Sequence, residues 1–300
     1  MDRSTRYFHE VATTGSLRKA SERLHIASSA ISRQIQLLEY ELGTELFERA
    51  PQGMVLTQAG KIYLEYTHQL VQEADRVRSE LDALKGLQRG HLRIISVEGL
   101  VADLIVTTFE EFRRTYPGIT ADIKVGGSHV VKKAIADREA DIGISMSGPQ
   151  NPDLDVALRI DDPMLAVMAP THPLARSKTL AVQDVIEHHP IALPDTNFGI
   201  RTRFEQCIRH GKVQAVLTAN SIAALRAFAS LGGGITFLSY LAVRKDLKDG
   251  NLVGIPLSDV AFYNMTIDIV VAARRRLPLP AQELLQFLRR AAQESRSDVP

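Results

Sequence analysis

The sequence lacks three features that would each indicate a class of protein: several cysteines, a long apolar run and a strong net charge. It contains a single cysteine, Cys207, which excludes an internal disulfide framework and a cysteine-rich zinc module. It has no run of about 18 apolar residues that could cross a membrane, and residues 1–10 lack the apolar core of a secretory signal. Basic residues (36) nearly balance acidic ones (35), which excludes a uniformly basic nucleic-acid coat protein. We therefore expect a cytoplasmic protein with no membrane partner.

What is present indicates a globular α/β chain of more than one domain. A length of 300 residues suggests about two domains as a first expectation, and no internal repeat is found. Residues 1–57 read as short helices and tight turns, and residues 58–90 read as one long polar helix followed by a hinge. Residues 91–300 alternate short β-branched runs with amphipathic helices, which is typical of an α/β domain.

The first zone has the pattern of a helix-turn-helix. Gly15 ends a first helix, and Ser16 is a plausible N-cap for a second because its hydroxyl can accept a free backbone N–H. A three-residue turn follows, and Ser28 is the predicted N-cap of a third helix. The buried stripe of that helix is predicted to comprise Ile31, Ile35, Leu38 and Leu42.

The opposite face of the third helix is polar. It presents Ser29, Ser32, Arg33 and Gln36, which are side chains that bind phosphates or read base edges in a major groove. Two short apolar runs at 46–48 and 54–56 predict a hairpin, or wing, that places Arg49 near backbone phosphate. The predicted DNA-binding residues are Ser16, Arg18, Lys19, Ser28, Ser29, Ser32, Arg33, Gln36, Arg49 and Gln52.

Charge in this zone is divided unevenly. Residues 1–38 hold six basic and three acidic side chains, whereas residues 39–57 hold one basic and four acidic ones. A DNA-binding domain normally has a basic footprint. Here that footprint must come from asymmetric placement and from doubling in a dimer. A helical bundle that does not bind DNA is the alternative.

The long helix carries one narrow apolar stripe at a period of 3.5 residues, which favours a coiled-coil seam. A helix of some 30 residues is about 45 Å long and has little of its own chain to pack on. We expect the partner to be the same helix of a second copy, and packing along the third zone is the alternative. The stripe comprises Tyr63, Thr67, Leu70, Ala74, Val77, Leu81 and Leu84.

The amino-terminal sequence resembles that of LysR-type transcriptional regulators. The resemblance extends without a gap over some 60 residues and is carried by Tyr7-Phe8, Gly15-Ser16-Leu17, Lys19-Ala20-Ser21-Glu22-Arg23-Leu24-His25-Ile26, Ala30-Ile31-Ser32-Arg33-Gln34-Ile35, Leu38-Glu39, Leu42-Gly43, Leu46-Phe47-Glu48-Arg49, Leu56-Thr57 and Ala59-Gly60. Ser28-Ser29 stands where the family usually has Gln-Pro, which removes one amide contact to a base.

The resemblance implies a winged helix-turn-helix, a dimerisation helix and a two-lobed effector domain like periplasmic binding proteins. In this chain the two lobes would be 91–161 with 263–300, and 162–262. The resemblance also implies double-stranded promoter DNA with an interrupted inverted repeat, a homodimer or homotetramer, a small organic effector and contact with RNA polymerase.

The third zone predicts parallel βαβ units, with ligands bound at the carboxyl ends of the strands. Helix N-termini there favour an anion, so a carboxylate-bearing effector is one candidate, although Glu98 argues against a dianion. Simple helix capping is the competing interpretation of each polar residue. The predicted effector-binding residues are Ser96, Val97, Glu98, Gly127, Ser128, Ser145, Asn197, Phe198, Arg201, Asn220, Ser221 and Thr236.

These patterns together predict an effector-responsive DNA-binding regulator. No catalytic residue, metal site or cofactor is expected, because the sequence shows no acid/base pair, triad or metal-ligand cluster. The alternative is an α/β small-molecule enzyme or ligand-binding protein that carries an N-terminal helical appendage.

Overall fold

The chain forms two compact units, Met1–Leu81 and Asp82–Pro300. The computed structural model describes residues 2–50, 53–83, 89–196, 201, 204, 208 and 213–296. The division between the units lies inside the long helix and not at its start. No helix among the described residues is long and apolar enough to cross a lipid bilayer.

The first unit is helical with one hairpin. Its elements are α1 (Arg3–Thr14), α2 (Leu17–Leu24), α3 (Ser28–Leu42), β1 (Phe47–Ala50), β2 (Gly53–Leu56) and α4 (Gln58–Ala83). The two strands pair antiparallel, with Phe47 opposite Leu56. This arrangement is the winged helix-turn-helix that the sequence predicts.

The turn between α1 and α2 depends on a glycine and a serine. Gly15 has a φ of +64°, a left-handed conformation that strains most side chains. The Ser16 hydroxyl accepts the Lys19 N–H at 3.4 Å and caps α2 as predicted. At α3 the prediction of a serine cap is wrong, because the N-cap residue is Ala27 and Ser28 is already the first helical residue.

The wing is held against this turn by a close backbone contact. The Met54 N–H donates to the Gly15 carbonyl at 3.0 Å. A Cβ atom on Gly53 would lie 2.5 Å from the same oxygen, and Gly53 has a φ of +127°. A glycine is therefore required at the start of β2 for the wing to dock.

The core of the first unit joins the three short helices to β1. Its buried residues are Tyr7, Phe8, Val11, Ala20, Ile31, Ile35, Leu38, Leu46 and Phe47. Leu42 is 45% exposed, so the predicted apolar stripe of α3 ends at Leu38. Ala20 is the only member of this core on α2, and its small side chain lets the helices approach closely.

The first turns of α4 pack on α1 of the same chain. Tyr63 and Thr5 share a hydrogen bond of 2.9 Å between their hydroxyls. Thr67 is fully buried and its hydroxyl lies 3.0 Å from His9 Nδ1. The prediction that the whole stripe of α4 faces a second copy is therefore wrong for Tyr63 and Thr67.

The later part of the same stripe has a different environment. Val77 and Leu81 are 43% and 56% exposed, and Ala74 is exposed as well. Leu84 lies outside the described residues. Among the described residues of the stripe, the exposed apolar ones therefore lie in the carboxyl-terminal half of α4, whereas Ile62 (65%) and Tyr66 (49%) are exposed outside the stripe in its amino-terminal half.

The second unit contains two five-stranded sheets. Its strands are β3 (Gly90–Ser96), β4 (Ile119–Val125), β5 (Ile142–Met146), β6 (Leu154–Asp161), β7 (Met164–Met168), β8 (Ile191–Pro194), β9 (Leu217–Ala219), β10 (Ile235–Ser239), β11 (Val253–Pro256) and β12 (Thr266–Ala272). The sheet of lobe I has the order β4-β3-β5-β12-β6, and that of lobe II has the order β11-β7-β10-β8-β9.

Helices follow most of these strands. The described helices are α5 (Thr107–Thr115), α6 (Ser128–Ala136), α7 (Val182–His188), α8 (Ile222–Ser230), α9 (Tyr240–Lys248), α10 (Val260–Tyr263) and α11 (Leu279–Arg296). A 3₁₀ turn, Glu98–Leu100, and a π-helical segment, Val101–Val106, lead directly into α5.

Both sheets contain parallel and antiparallel pairs, whereas the sequence predicts parallel strands only. β3 pairs parallel with β4 and β5, and β8 pairs parallel with β9 and β10. β12, however, is antiparallel to β5 and β6, and β7 is antiparallel to β10 and β11. The chain enters lobe II between β6 and β7 and returns to lobe I at β12, so two crossing segments join the lobes.

Candidate nucleic-acid interface and ligand cavity

The polar face of α3 is open to solvent. Ser29, Arg33 and Gln36 are exposed and Ser32 is half-buried. They project from the side opposite the buried stripe, and short hydroxyls, a guanidinium and an amide can together contact phosphates and base edges. The structure therefore brings these four predicted residues onto one accessible helix face.

The other predicted DNA contacts lie around this helix. Arg18 and Lys19 are exposed in the first turn of α2, where Arg18 forms a surface ion pair with Glu22 at 3.2 Å. Such a pair stabilises the fold little, so a phosphate could replace the carboxylate. Ser16 and Ser28 are half-buried at the starts of α2 and α3, Arg49 lies on β1, and Gln52 lies outside the described residues.

One of the acidic residues near the interface has a structural partner. The Glu39 carboxylate accepts the N–H groups of Leu46 and Phe47 at 2.8 and 3.2 Å. These bonds fasten the start of β1 to α3, and two N–H donors compensate part of the carboxylate charge. The acidic segment 39–57 therefore partly serves to position the wing.

A cavity of about 200 Å³ lies between lobes I and II. Five of the predicted effector-binding residues line it: Val97, Glu98, Gly127, Ser128 and Asn220. The rest of its wall consists of Gly99, Leu100, Val125, Gly126, Met146, Asp162, Ile222, Ser239, Ala242, Met265, Thr266 and Ile267. Residues from both sheets and from both crossing segments therefore meet at one concave site.

Three predicted effector-binding residues contribute no surface to the cavity. Ser96, Ser145 and Thr236 are fully buried, and each hydroxyl donates to a backbone carbonyl oxygen at 3.0 to 3.4 Å. A polar side chain at a strand end can thus be satisfied by the backbone and turned inward, and contact of these residues with an effector stays a prediction.

The remaining predicted residues have other positions. Ser221 caps α8, where its hydroxyl accepts the Ala224 N–H at 3.4 Å, and it is not part of the cavity wall. Arg201 is half-buried and likewise outside that wall. Asn197 and Phe198 lie outside the described residues.

Glu98 crosses from lobe I to the amino end of α8 in lobe II. Its Oε1 accepts the Ile222 N–H at 2.9 Å and the Ser221 hydroxyl at 3.4 Å. A carboxylate at a helix N-terminus is stabilised by the free N–H groups and the helix dipole. The helix end at which the sequence favours an anionic ligand is therefore already occupied by a carboxylate of the protein.

Asp162 plays the same part for α9. Its Oδ1 accepts the Leu241 N–H at 2.8 Å, and the residue is only 2% exposed. Burial raises the pKa of the Asp162 carboxyl to about 6, although hydrogen bonds from Leu241 and Ser239 act in the opposite direction. Sequence reasoning missed this residue, although the predicted chain crossing near 161 was a signal for it.

The amino end of α6 differs from those two helix ends. Its N-cap is Gly127, which offers no side chain, and the Ser128 hydroxyl accepts the Met146 N–H at 3.3 Å. Both residues line the cavity. This end of α6 therefore presents backbone N–H donors to the cavity with no carboxylate from the protein.

Comparison with known proteins identifies both parts of the chain. Residues 3–61 match the bacterial regulatory helix-turn-helix protein model of the lysR family, and residues 85–293 match the LysR substrate binding domain. A curated relative from Emiliania huxleyi, "Probable RuBisCO transcriptional regulator", is 29% identical over 289 residues, which are 91% of this chain and 90% of the relative.

Solved structures share the fold. Full-length OxyR from Pseudomonas aeruginosa, in a variant form, has a TM-score of 0.70 at 20% identity and is matched over 97% of this chain and 93% of its own. Full-length CbnR, solved in complex with its target DNA, has a TM-score of 0.63 at 19% identity over 97% and 100% of the two chains.

A winged helix-turn-helix joined to a two-lobed ligand-binding unit defines a class of DNA-binding transcriptional regulators that respond to an effector. Both parts of this chain match the models of one such family, and together the matches span most of its length. The chain belongs to the LysR family.

Proposed function

We propose that the polar face of α3 enters the major groove of an inverted-repeat promoter site, and that the cavity between the lobes binds the effector. The exposed set of Ser29, Arg33 and Gln36 carries the first part. The convergence of both lobes and both crossing segments on one cavity carries the second. The chain acts by binding and not by catalysis, in the cytoplasm with the promoter DNA.

Two copies of the chain are needed to present two reading heads to the two halves of such a site. The exposed apolar residues Val77 and Leu81 on α4 offer a surface for the second copy. Two such dimers then associate into a tetramer, and the DNA-bound protein contacts RNA polymerase. The effector binds one arrangement of the lobes more tightly than the other. It therefore shifts the population toward that arrangement by an amount set by the difference in affinity.

Replacement of Arg33 by alanine should weaken DNA binding. Loss of a guanidinium that contacts a base edge costs about 1–3 kcal/mol, or roughly 5- to 150-fold in affinity. The measurement is a gel-shift titration on a duplex selected from random sequence by the wild-type protein. Arg113→Ala is the matched control, because Arg113 is an exposed arginine on α5 of the second unit. Equal affinity of Arg33→Ala and wild type would remove Arg33 from the interface.

Replacement of Ser128 by tyrosine should fill the cavity and abolish effector binding without loss of DNA binding. A screen of small carboxylates, amino acids, nucleobases and neutral aromatics by thermal shift identifies a ligand of the wild-type protein. The variant should lose the shift caused by that ligand. Ser230→Tyr is the control, because Ser230 is exposed at the end of α8 and does not line the cavity. An undiminished shift in Ser128→Tyr would place the effector elsewhere.

A further inference from the structure

The cavity between the lobes has a predominantly apolar wall. Most of its surface is apolar, and about half of its lining residues have aliphatic or sulfur-containing side chains, among them Leu100, Val125, Met146, Ile222 and Met265. A volume of about 200 Å³ suits a ligand of one ring, since a cavity of about 150 Å³ with apolar lining binds benzene in another protein. Size and lining therefore favour a small molecule with most of its surface apolar.

Negative charge is already present on the lobe II side of this cavity. Glu98 and Asp162 both line it, and both use an oxygen to cap a lobe II helix. The N–H groups that they occupy are the donors that a ligand carboxylate or phosphate would otherwise use. An anionic ligand would therefore meet two carboxylates and fewer free donors.

No positively charged side chain in the described part of the cavity wall offsets the negative charges of Glu98 and Asp162. Among the described residues that line the cavity there is no lysine, arginine or histidine. An anion moved from water into such a wall loses its hydration without gaining a counter-charge, which is unfavourable in a mainly apolar site. The amino end of α6, with Gly127 and Ser128, still offers N–H donors to an uncharged acceptor such as a carbonyl oxygen.

We propose that the cavity takes an uncharged, mainly apolar molecule of about one ring, with a hydrogen-bond acceptor directed at the amino end of α6, and that it rejects carboxylates and phosphates. This inference rests on the proposed function, because it assumes that the effector occupies this cavity. It narrows the effector from any small organic molecule to one without negative charge.

The test uses benzamide and benzoate, which have almost the same shape and differ in charge. Calorimetric titration of the full-length protein at neutral pH should show benzamide binding at least about tenfold more tightly, a difference of about 1.4 kcal/mol. Ser128→Tyr should abolish the binding of benzamide. Equal or tighter binding of benzoate would overturn the proposed ligand class, as would failure of benzamide to bind at its solubility limit.

Two isosteric variants test the electrostatic cause. Glu98→Gln keeps an oxygen that can accept the Ile222 N–H but removes the charge, so the ratio of the two affinities should fall toward one. Asp162→Asn provides a second variant of the same kind should Glu98→Gln fail to fold. Glu110→Gln, an exposed change on α5, should leave the ratio as it is. A ratio that neither cavity variant changes would refute the role of these carboxylates.

The outcomes separate this inference from the function on which it rests. If benzoate binds best and Ser128→Tyr abolishes its binding, the cavity is the ligand site and only the proposed ligand class is wrong. If benzamide binds equally well to wild type and Ser128→Tyr, the ligand is bound elsewhere and both proposals fail. DNA binding, measured on the selected duplex, is independent of either result.

Discussion

Replacement of Asp141 by alanine should lower the free energy of unfolding of the second unit by about 3–5 kcal/mol, the cost of removing one partner from a buried ion pair. Asp141 is 3% exposed and stands just before β5. Its Oδ2 accepts the backbone N–H of Arg93 at 3.0 Å, and its Oδ1 accepts Arg93 Nη2 at 2.9 Å. The same carboxylate lies 3.3 Å from Nη2 of Arg275.

The expected loss of stability is large because Arg275 remains buried after the Asp141 carboxylate is removed. The Arg275 side chain is 91% buried, and its Nη1 atom is buried with no hydrogen-bond partner among the described residues. Burial lowers the pKa of Arg275, and the Asp141 charge opposes that shift. Without Asp141, a largely buried guanidinium would lose its counter-charge.

Urea unfolding of the full-length chain, followed through the second unit's transition, measures this loss. Asp137→Ala is the matched control, because Asp137 forms an exposed ion pair with Lys133 one helical turn away. Exposed pairs of this kind contribute about 0.3–0.5 kcal/mol. A loss below about 1 kcal/mol in Asp141→Ala would show that the buried network is not a major source of stability.

The elements that the sequence predicts best are those governed by local patterns. The third helix and the hairpin that forms the wing follow from apolar periodicity and turn residues within a short window, and the family resemblance at residues 7–60 supports both. These signals need no knowledge of distant contacts, since i, i+3 and i, i+4 spacing already decides which face of a helix is buried.

The features that escaped prediction depend on contacts between distant residues. Glu98 caps a helix that begins 124 residues later, and Asp162 one that lies 79 residues away. The inward rotation of Ser96 and Thr236 is likewise set by which carbonyl each hydroxyl finds in the folded sheet. A polar residue at a strand end therefore predicts the neighbourhood of a ligand site but not which side chains face it.

The long helix shows the same limit in a different form. Its 3.5-residue stripe predicts one seam for one partner, yet Thr67 is buried against α1 whereas Leu81 is exposed. A periodic stripe specifies that a face will be covered, but not that a single partner covers all of it.

Replacement of Phe8 by alanine should unfold the DNA-binding unit and abolish DNA binding while leaving the second unit folded. Phe8 is fully buried, and its ring lies 5.1 Å from that of Phe47 and 4.9 Å from that of Tyr63, measured between centroids. It thus joins α1 to the wing and to α4. Truncation of a buried phenylalanine costs about 3–5 kcal/mol.

That cost is large relative to the stability of the unit. Residues Met1–Leu81 form one compact unit, for which typical stabilities per residue give about 4–12 kcal/mol in total. Urea unfolding should therefore show the first unit's transition moved to much lower denaturant, and gel shift should show no complex with the selected duplex. Tyr40→Ala is the control, because Tyr40 lies on α3 and is 86% exposed. If Phe8→Ala bound DNA like wild type, the position of α3 would not depend on this aromatic cluster. The remaining aliphatic contacts among α1, α2 and α3 would then be enough to stabilise the helix-turn-helix.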